Sequence, residues 1–408
     1  MITLKKSITN YNLKNKKVII RCDLNVPIKN GKIIDNTRIK NSIPTIEYAY
    51  NHHAKIIILS HLGRIKTKED LKANTLQPVA NMLEQLLQHK VTFINSIDKN
   101  EITKVISSMK PQDIVLLQNT RYEDLEGKKE SNCDMELAKY WASLGDIFIN
   151  DAFGTLHRNH ASNVGIAKYL PNGIGLLVQK ELTTLQILDN PPHPFVLITG
   201  GSKVKDKIHL LERLLPKCDY LLIGGGMAFT FLQAEGYETG NSIIDRESLD
   251  FCHQLLEKYQ EKIILPVDVC CHDKIIDEKG QNKSINEIEY DDIGLDIGKS
   301  TIKLFEKYLT SAKMVVWNGP LGVYELKNYQ HGTIKLLKFL VKTETKTILA
   351  GGDIISAASN AKVKDKIYFA STGGGATLTY LEGGILPGLE AIEEEENGNK
   401  ESRSSKSL

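Results

Sequence analysis

The chain has 408 residues and a mass of 45.7 kDa, which at roughly 150 residues per domain means two or three domains. Hydrophobic residues make up 41% and charged residues 25%, which excludes a disordered or collagen-like chain. The net charge of +2 hides an asymmetry: residues 1–170 hold 25 Lys/Arg against 17 Asp/Glu, and residues 171–408 hold 27 against 33.

The amino terminus carries Lys5, Lys6, Lys14, Lys16, Lys17 and Arg21 before its first acid, Asp23. A transit peptide is basic in the same way, but Val18-Ile19-Ile20 already reads as strand and leaves little room for a leader. No apolar stretch of about 7–15 residues marks a secretory signal, and none of about 18 marks a membrane helix. Short β-branched runs then recur at Val18–Cys22, Lys55–Ser60, Val91–Ile94, Asp113–Gln118 and Asp146–Asn150. Later runs are Phe195–Gly200, Tyr220–Gly225, Lys262–Cys270, Met314–Asn318, Thr347–Gly352 and Lys366–Ser371. Segments with helical spacing separate them. That alternation predicts α/β architecture with two doubly wound, Rossmann-like parallel sheets. Gly175–Leu188 has helical spacing before Pro191-Pro192 and reads as a connecting helix. The expected organisation is an amino-terminal domain over 1–172, a linking helix over 173–190 and a carboxy-terminal domain over 191–382. A segment over 383–390 and an acidic, disordered tail over 391–408 follow. The final Lys406-Ser407-Leu408 is not read as a peroxisomal signal. The six cysteines form no CxxC pair, so free thiols in a reducing, cytoplasmic setting are expected and structural zinc is not.

In open α/β sheets ligands bind beyond the carboxyl ends of the strands. In the first half those positions carry Asp23 and Asn25, then His61 and Arg64, then Arg121, then Asn150, Asp151, His157, Arg158 and His160. Arg21 lies within the first strand and Arg38 follows closely. Guanidinium forks suit carboxylate and phosphate oxygens. One arginine alone reads as a surface ion pair; arginines at successive strand ends point to a small ligand with at least two negative charges. No Lys/Arg stripe with interleaved aromatics suggests nucleic acid.

In the second half the strand ends carry glycine. Of 30 glycines, 24 lie beyond residue 170, clustered at Gly200-Gly201, Gly224–Gly226, Gly319, Gly351-Gly352 and Gly373–Gly375. One pair would be a tight turn, but five clusters read as backbone amides for a nucleotide polyphosphate, several at helix starts. Standard nucleotide motifs fail. Gly298-Lys299-Ser300 lacks the first Walker glycine, because residue 293 is Ile293. Phe229 and Leu378 stand where GxGxxG needs its last glycine, which argues against a nicotinamide dehydrogenase. Lys203 and Lys207, at helical spacing after Gly200-Gly201, could reach phosphates or simply be solvated. Asp353 after Gly351-Gly352 suits Mg²⁺ beside phosphates, or a helix N-cap. Glu325 could accept from ribose hydroxyls. An anion on one domain and a nucleotide on the other suggest phosphoryl transfer.

Several stretches resemble phosphoglycerate kinases: Arg21–Pro27, Ser60–Arg64, Asn119–Arg121, Asn150–Thr155 with His157-Arg158 and His160–Ser162, Gly200–Val204 with Asp206-Lys207, Gly224–Phe229, Trp317–Pro320 and Ser371–Ala376. The resemblance runs in order from about residue 1 to about 390. It implies a monomer of two domains closing over both substrates, with the segment near Leu386-Pro387-Gly388 returning to the first domain. It implies 3-phosphoglycerate held by Asp23, Asn25, Arg38, His61, Arg64, Arg121 and Arg158, to which we add Arg21. It implies catalytic cations Arg38 and Lys203 on the transferring phosphoryl group and Lys207 on a nucleotide phosphate. Gly201, Gly225, Leu295, Asn318, Pro320 and Glu325 would shape the ATP/ADP site, with Gly351, Gly352, Asp353, Ile354, Gly373 and Gly374 near the phosphates and Asp353 holding Mg²⁺. The family pattern expects Gly-Gly-Gly-Asp-Thr or Ser, whereas this chain has Ala350-Gly351-Gly352-Asp353-Ile354. An alanine at positive φ would be strained, and a hydrogen bond lost to a charged group costs about 1.5–3 kcal/mol, so weakened nucleotide binding is expected. An inactive regulatory paralogue is the competing reading.

Overall fold

A computed structural model describes residues 5–395. The described residues form two compact units, 5–182 with 385–395, and 183–384. Each is built on a six-stranded parallel sheet.

In the first unit the strands are β1 (Lys17–Cys22), β4 (Lys55–Leu59), β5 (Val91–Ile94), β6 (Ile114–Leu117), β7 (Ile147–Asp151) and β8 (Asn172–Ile174). A short hairpin, β2 (Ile28–Lys29) with β3 (Lys32–Ile33), stands apart. The sheet order is β5-β6-β4-β1-β7-β8. β1 is central because it is apolar on both faces: Val18, Ile19 and Ile20 are buried, and they pair in register with Ile56–Ile58 and Ile147–Ile149. Fully burying each such side chain stabilises by about 1.5–3 kcal/mol. The register also sets Arg21 beside Leu59 and Asn150, so the polar residues after the strands emerge at one edge.

In the second unit the strands are β9 (Phe195–Thr199), β10 (Tyr220–Ile223), β11 (Ile263–Ile264), β15 (Met314–Asn318), β16 (Lys346–Ala350) and β17 (Phe369–Ala370). Their order is β11-β10-β9-β15-β16-β17. The order reverses direction between β9 and β15, so a crevice opens past Thr199 and Asn318. The expected single strand Lys262–Cys270 is two. β11 ends before Pro266, and β12 (Asp268–His272) joins β13 (Gln281–Ser284) and β14 (Ile293–Ile297) in a separate antiparallel sheet. Proline donates no ladder hydrogen bond and breaks the run.

The helix Leu176–Gln186 carries the boundary between the units, at 182/183. Its first-turn amides are satisfied from the first unit: Thr45 Oγ1 accepts from Leu176 N at 2.9 Å and Asp151 Oδ1 from Leu177 N at 2.9 Å. Asp268 caps the helix Lys299–Thr310 in the same way, accepting from Ser300 N at 2.9 Å and Thr301 N at 2.7 Å.

The tail expected from residue 391 is ordered at its start. Ile392 is buried, and the Glu393 carbonyl accepts from Lys6 N at 2.9 Å. The remainder of that expectation, 396–408, lies outside the described residues. All six cysteines are unpaired thiols.

Candidate active site

The basic cluster forms at the carboxyl ends of β1, β4, β6 and β7. Arg38 stands at the start of the helix Thr37–Asn51, and its Nη1 donates to both Asp23 carboxylate oxygens at 2.8 Å. Asn25 Oδ1 accepts from Gly63 N at 2.9 Å, tying the loop after β1 to the loop after β4. The Asn119 side chain accepts from Leu62 N through Oδ1 and donates from Nδ2 to the Leu62 and Asn74 carbonyls. Arg121 donates to the Gly63 carbonyl, while its Nε is buried without a partner. Arg64 is exposed, and Arg158 is half-buried with its Nε 3.3 Å from His157 Nε2.

These groups also act on one another's charge states. Burial, then Arg158, lowers the Arg121 guanidinium from its usual value. Burial likewise lowers Arg158, with Arg64 and Arg38 adding to it and Asp23 opposing. Burial beside Arg21, Arg121, Arg158 and Arg38 holds His61 well below the usual histidine range, so the ring is neutral. Burial also takes His160 down to about 3. Mutually repelling guanidinium groups around neutral imidazoles form a surface that an anion with several oxygens would stabilise. Arg21 is the exception among the predicted ligands. It is fully buried, and its fork is occupied by Ser162, the Cys22 carbonyl and His61. It lies under the cluster rather than in it.

In the second unit the glycine loops knit together at the crevice. Gly200 N donates to the Asn318 carbonyl, Gly201 N to the Pro320 carbonyl and Gly225 N to the Leu321 carbonyl, each at 2.9 Å. A Cβ on Gly225 would come within 2.8 Å of Gly201 N, and its φ is +64°. That glycine is therefore required by loop packing, the plainer of the two sequence readings. Gly352 differs. It opens the helix Gly352–Asn360, has no positive φ, and a Cβ there would meet nothing within 4 Å. Neither backbone strain nor packing asks for glycine at that point.

The expected helix through Lys203 and Lys207 begins later. Lys203 is exposed in the loop, 205–207 make a single 3₁₀ turn, and the α-helix starts at Ile208. Lys207 is half-buried, and burial lowers its ammonium despite Asp206, Glu382 and Asp353 nearby. Lys207 and Asp353 thus share one neighbourhood. Asp353 is not an N-cap. Gly351, at φ +105°, caps that helix and Asp353 sits exposed in its first turn.

The strain expected at Ala350 is absent, because the left-handed residue is Gly351 and Ala350 ends β16. The Ala350 carbonyl accepts from Asn318 Nδ2, while Asn318 Oδ1 is buried without a partner. Ile354 is fully buried in the hydrophobic core, so its side chain faces away from the helix mouth. Leu295 on β14 joins Gly225, Ala228, Phe229 and Leu321 around a small apolar depression. Pro320 follows in the crevice loop, Glu325 is exposed, and Gly373 and Gly374 precede the helix Gly375–Leu381.

Two residues escaped the sequence reading. Glu130 is buried under the basic cluster, and nothing in its spacing marks it. Burial, with Asp353 and Glu325 close by, pushes the Tyr324 phenol up. Its place beside Trp317–Pro320 in the chain is the only sequence signal.

A guanidinium-rich cluster on one sheet and a crevice of glycine turns on the other suit a two-substrate transferase. Comparison with known proteins narrows the class. A family model described as phosphoglycerate kinase matches residues 8–384. A phosphoglycerate kinase from Fusobacterium nucleatum is 48% identical over 95% of this chain and 99% of its own. One from Listeria innocua is likewise 48% identical, over 95% and 99%. Among solved structures, phosphoglycerate kinase from Coxiella burnetii aligns with TM-score 0.85 and 40% identity over 95% of this chain and 98% of its own. The enzyme from Pyrococcus horikoshii aligns with TM-score 0.80 and 28% identity over the same shares. The chain belongs to the phosphoglycerate kinase family and is a transferase of the kinase class.

Proposed function

We propose that this enzyme moves a phosphoryl group reversibly between 1,3-bisphosphoglycerate and ADP, giving 3-phosphoglycerate and ATP. The observation that carries this reading is the gathering of Arg38, Arg121 and Arg158 around a neutral His61, with Arg64 acting on Arg158. A phosphorylated three-carbon acid bears a carboxylate and a phosphate, and paired guanidinium groups recognise both. Asp23 and Asn25 set the cluster's shape.

The nucleophile is already anionic, a carboxylate in one direction and an ADP phosphate oxygen in the other. No general base is needed. Catalysis then comes from positioning and from positive charge on the equatorial oxygens, supplied by Arg38 and Lys203, with Lys207 on a nucleotide phosphate. Because the acid and nucleotide sites belong to different units, the reaction requires hinge closure, which also keeps water from the acyl phosphate.

Mg²⁺ fits the residues present. Among the described residues no cluster of His, Cys, Asp or Glu forms a cage, and Mg²⁺ commonly binds through one or two carboxylates plus substrate phosphates. Asp353 is exposed in the first turn at the helix mouth. When bound, the ion would neutralise charge on the nucleotide phosphates. A cytoplasmic monomer is part of the same reading, and no helix among the described residues is long and apolar enough to cross a membrane.

The test is a coupled assay with ATP, Mg²⁺ and 3-phosphoglycerate, with EDTA as control. Mg²⁺-dependent formation of 1,3-bisphosphoglycerate is expected. A folded protein that binds ADP without turnover would instead favour the regulatory paralogue.

A further inference from the structure

Beneath the basic cluster runs a chain of buried side chains that substrate contact does not explain. Glu130 is fully buried. Its carboxylate accepts from the Ser162 amide at 2.9 Å and from the Ser162 hydroxyl. The Ser162 oxygen accepts from Arg21 Nε at 2.9 Å. One Arg21 terminal nitrogen donates to the Cys22 carbonyl, and the other lies 3.1 Å from His61 Nδ1. The chain therefore reads Glu130, Ser162, Arg21, His61.

Proton accounting gives it a direction. A guanidinium has five N–H donors and no acceptor. His61 Nδ1, facing Arg21, must therefore accept. A neutral imidazole that accepts at Nδ1 carries its hydrogen on Nε2. Burial and the surrounding Arg21, Arg121, Arg158 and Arg38 keep the ring neutral. Without the Arg21 contact either tautomer would be open, and one of them would turn a lone pair toward an incoming anion.

Arg21 itself needs an anchor, because a buried cation is costly unless paired and fully hydrogen-bonded. Asp23 is already engaged through both oxygens by Arg38. His160 Nδ1 lies 3.7 Å from Glu130 but stays neutral, so it does not neutralise the carboxylate. Burial pushes the Glu130 carboxyl up while Arg21 and the Ser162 hydrogen bonds hold it down; of the acids acting on Arg21 it acts most strongly, and Ser162 is the bridge between them.

We propose that Glu130 is a positioning residue for substrate binding: through Ser162 and Arg21 it locks His61 in the tautomer that presents Nε2–H to the oxyanion of the acid substrate. The lock rests on the reading of the basic cluster as the acid-binding site.

The first test is a long-range ¹H–¹⁵N correlation spectrum of the substrate-free wild-type protein with ¹⁵N-labelled histidine. His61 is expected to show a protonated Nε2, a bare Nδ1 and no titration across neutral pH. A ring protonated at Nδ1 overturns the lock. The second test is Glu130→Gln, with Ser162→Ala as a partner variant that keeps both buried charges should Glu130→Gln fold poorly. Each is expected to bring mixed tautomers or titration at His61. Each is also expected to raise KM for 3-phosphoglycerate by about tenfold, the scale of one weakened hydrogen bond to a charged group, with nucleotide KM unchanged. A purely structural role would lower the melting temperature without moving the His61 spectrum or splitting the two KM values, and that result overturns the proposal. The spectrum is read without substrate. A wild-type chain that turned over no 3-phosphoglycerate would therefore overturn the proposed function, while the spectrum would still decide the lock.

Discussion

At position 350 a side chain replaces a glycine of the family pattern without meeting any of the costs that replacement suggests. The left-handed backbone falls at Gly351, and the Ala350 side chain is buried at the end of β16. At position 354 the isoleucine packs into the core, so a hydroxyl there would face apolar neighbours and not phosphate. Ala350→Gly and Ile354→Val should therefore leave the nucleotide KM unchanged, and Ile354→Val should cost about 0.5–1.5 kcal/mol of stability, read by denaturant unfolding. The cations behave differently. Arg38→Ala and Lys203→Ala should each lower kcat by about 10²–10³, the loss seen when one donor to developing charge is removed. Their stability effects should diverge. Lys203 is exposed, so its loss leaves the melting temperature near wild type. Arg38 is the partner of Asp23, which is only 6% exposed. Removing it strands a buried carboxylate and should also cost about 1–3 kcal/mol. Near-normal kcat in either variant would remove that residue from the proposed mechanism.

Among the elements, the glycine loops contain two kinds of glycine that look alike as sequence. Gly225→Ala puts a Cβ within 2.8 Å of Gly201 N at a φ of +64°, so it should destabilise the second unit by at least about 1–2 kcal/mol. Gly352→Ala meets nothing within 4 Å and improves a helix position, so it should hold or raise stability by up to about 1 kcal/mol. If phosphates approach that helix start, Gly352→Ala should raise the nucleotide KM all the same, as measured by steady-state kinetics. An unchanged KM would move the phosphates away from Gly352. The same distinction explains what the sequence could disclose. Runs such as Val18–Cys22 and Phe195–Thr199 are legible because strands buried on both faces must be apolar throughout. β13, Gln281–Ser284, is polar and carries no such signal, so the small antiparallel sheet went unread and β11 ran into β12. Arginines at strand ends are legible by residue type. Their accessibility is not: Arg21, inside β1, is fully buried, whereas Arg158, beyond β7, stays half-exposed. Glu130 was invisible for the same reason: its importance lies in partners at 162 and 21, which no local spacing encodes.

At the scale of the whole molecule, the first unit is sewn shut by segments from both flanks of the described chain. Lys6 N donates to the Glu393 carbonyl at 2.9 Å, Glu393 N to Asn172 Oδ1 at 2.8 Å, and Ile174 N to the Lys6 carbonyl at 2.8 Å. Three distant stretches therefore share one splice, set just before the helix Leu176–Gln186. Charge decorates it: Lys6 Nζ lies 2.7 Å from Glu393, with the two side chains 30% and 39% exposed. Exposed pairs of that kind contribute about 0–1 kcal/mol. Ile392 beneath them is 2% exposed, and truncating a buried isoleucine costs about 2–5 kcal/mol. Apolar burial should thus outweigh the ion pair. Calorimetry should show Ile392→Ala lowering the transition of the first unit clearly, while Lys6→Gln and Glu393→Gln move it little and lose what effect they have at high salt. Equal losses in the two kinds of variant, or a salt-sensitive Ile392→Ala, would mean that the splice is held by its charges and that the ordering of 391–395 depends on ionic strength.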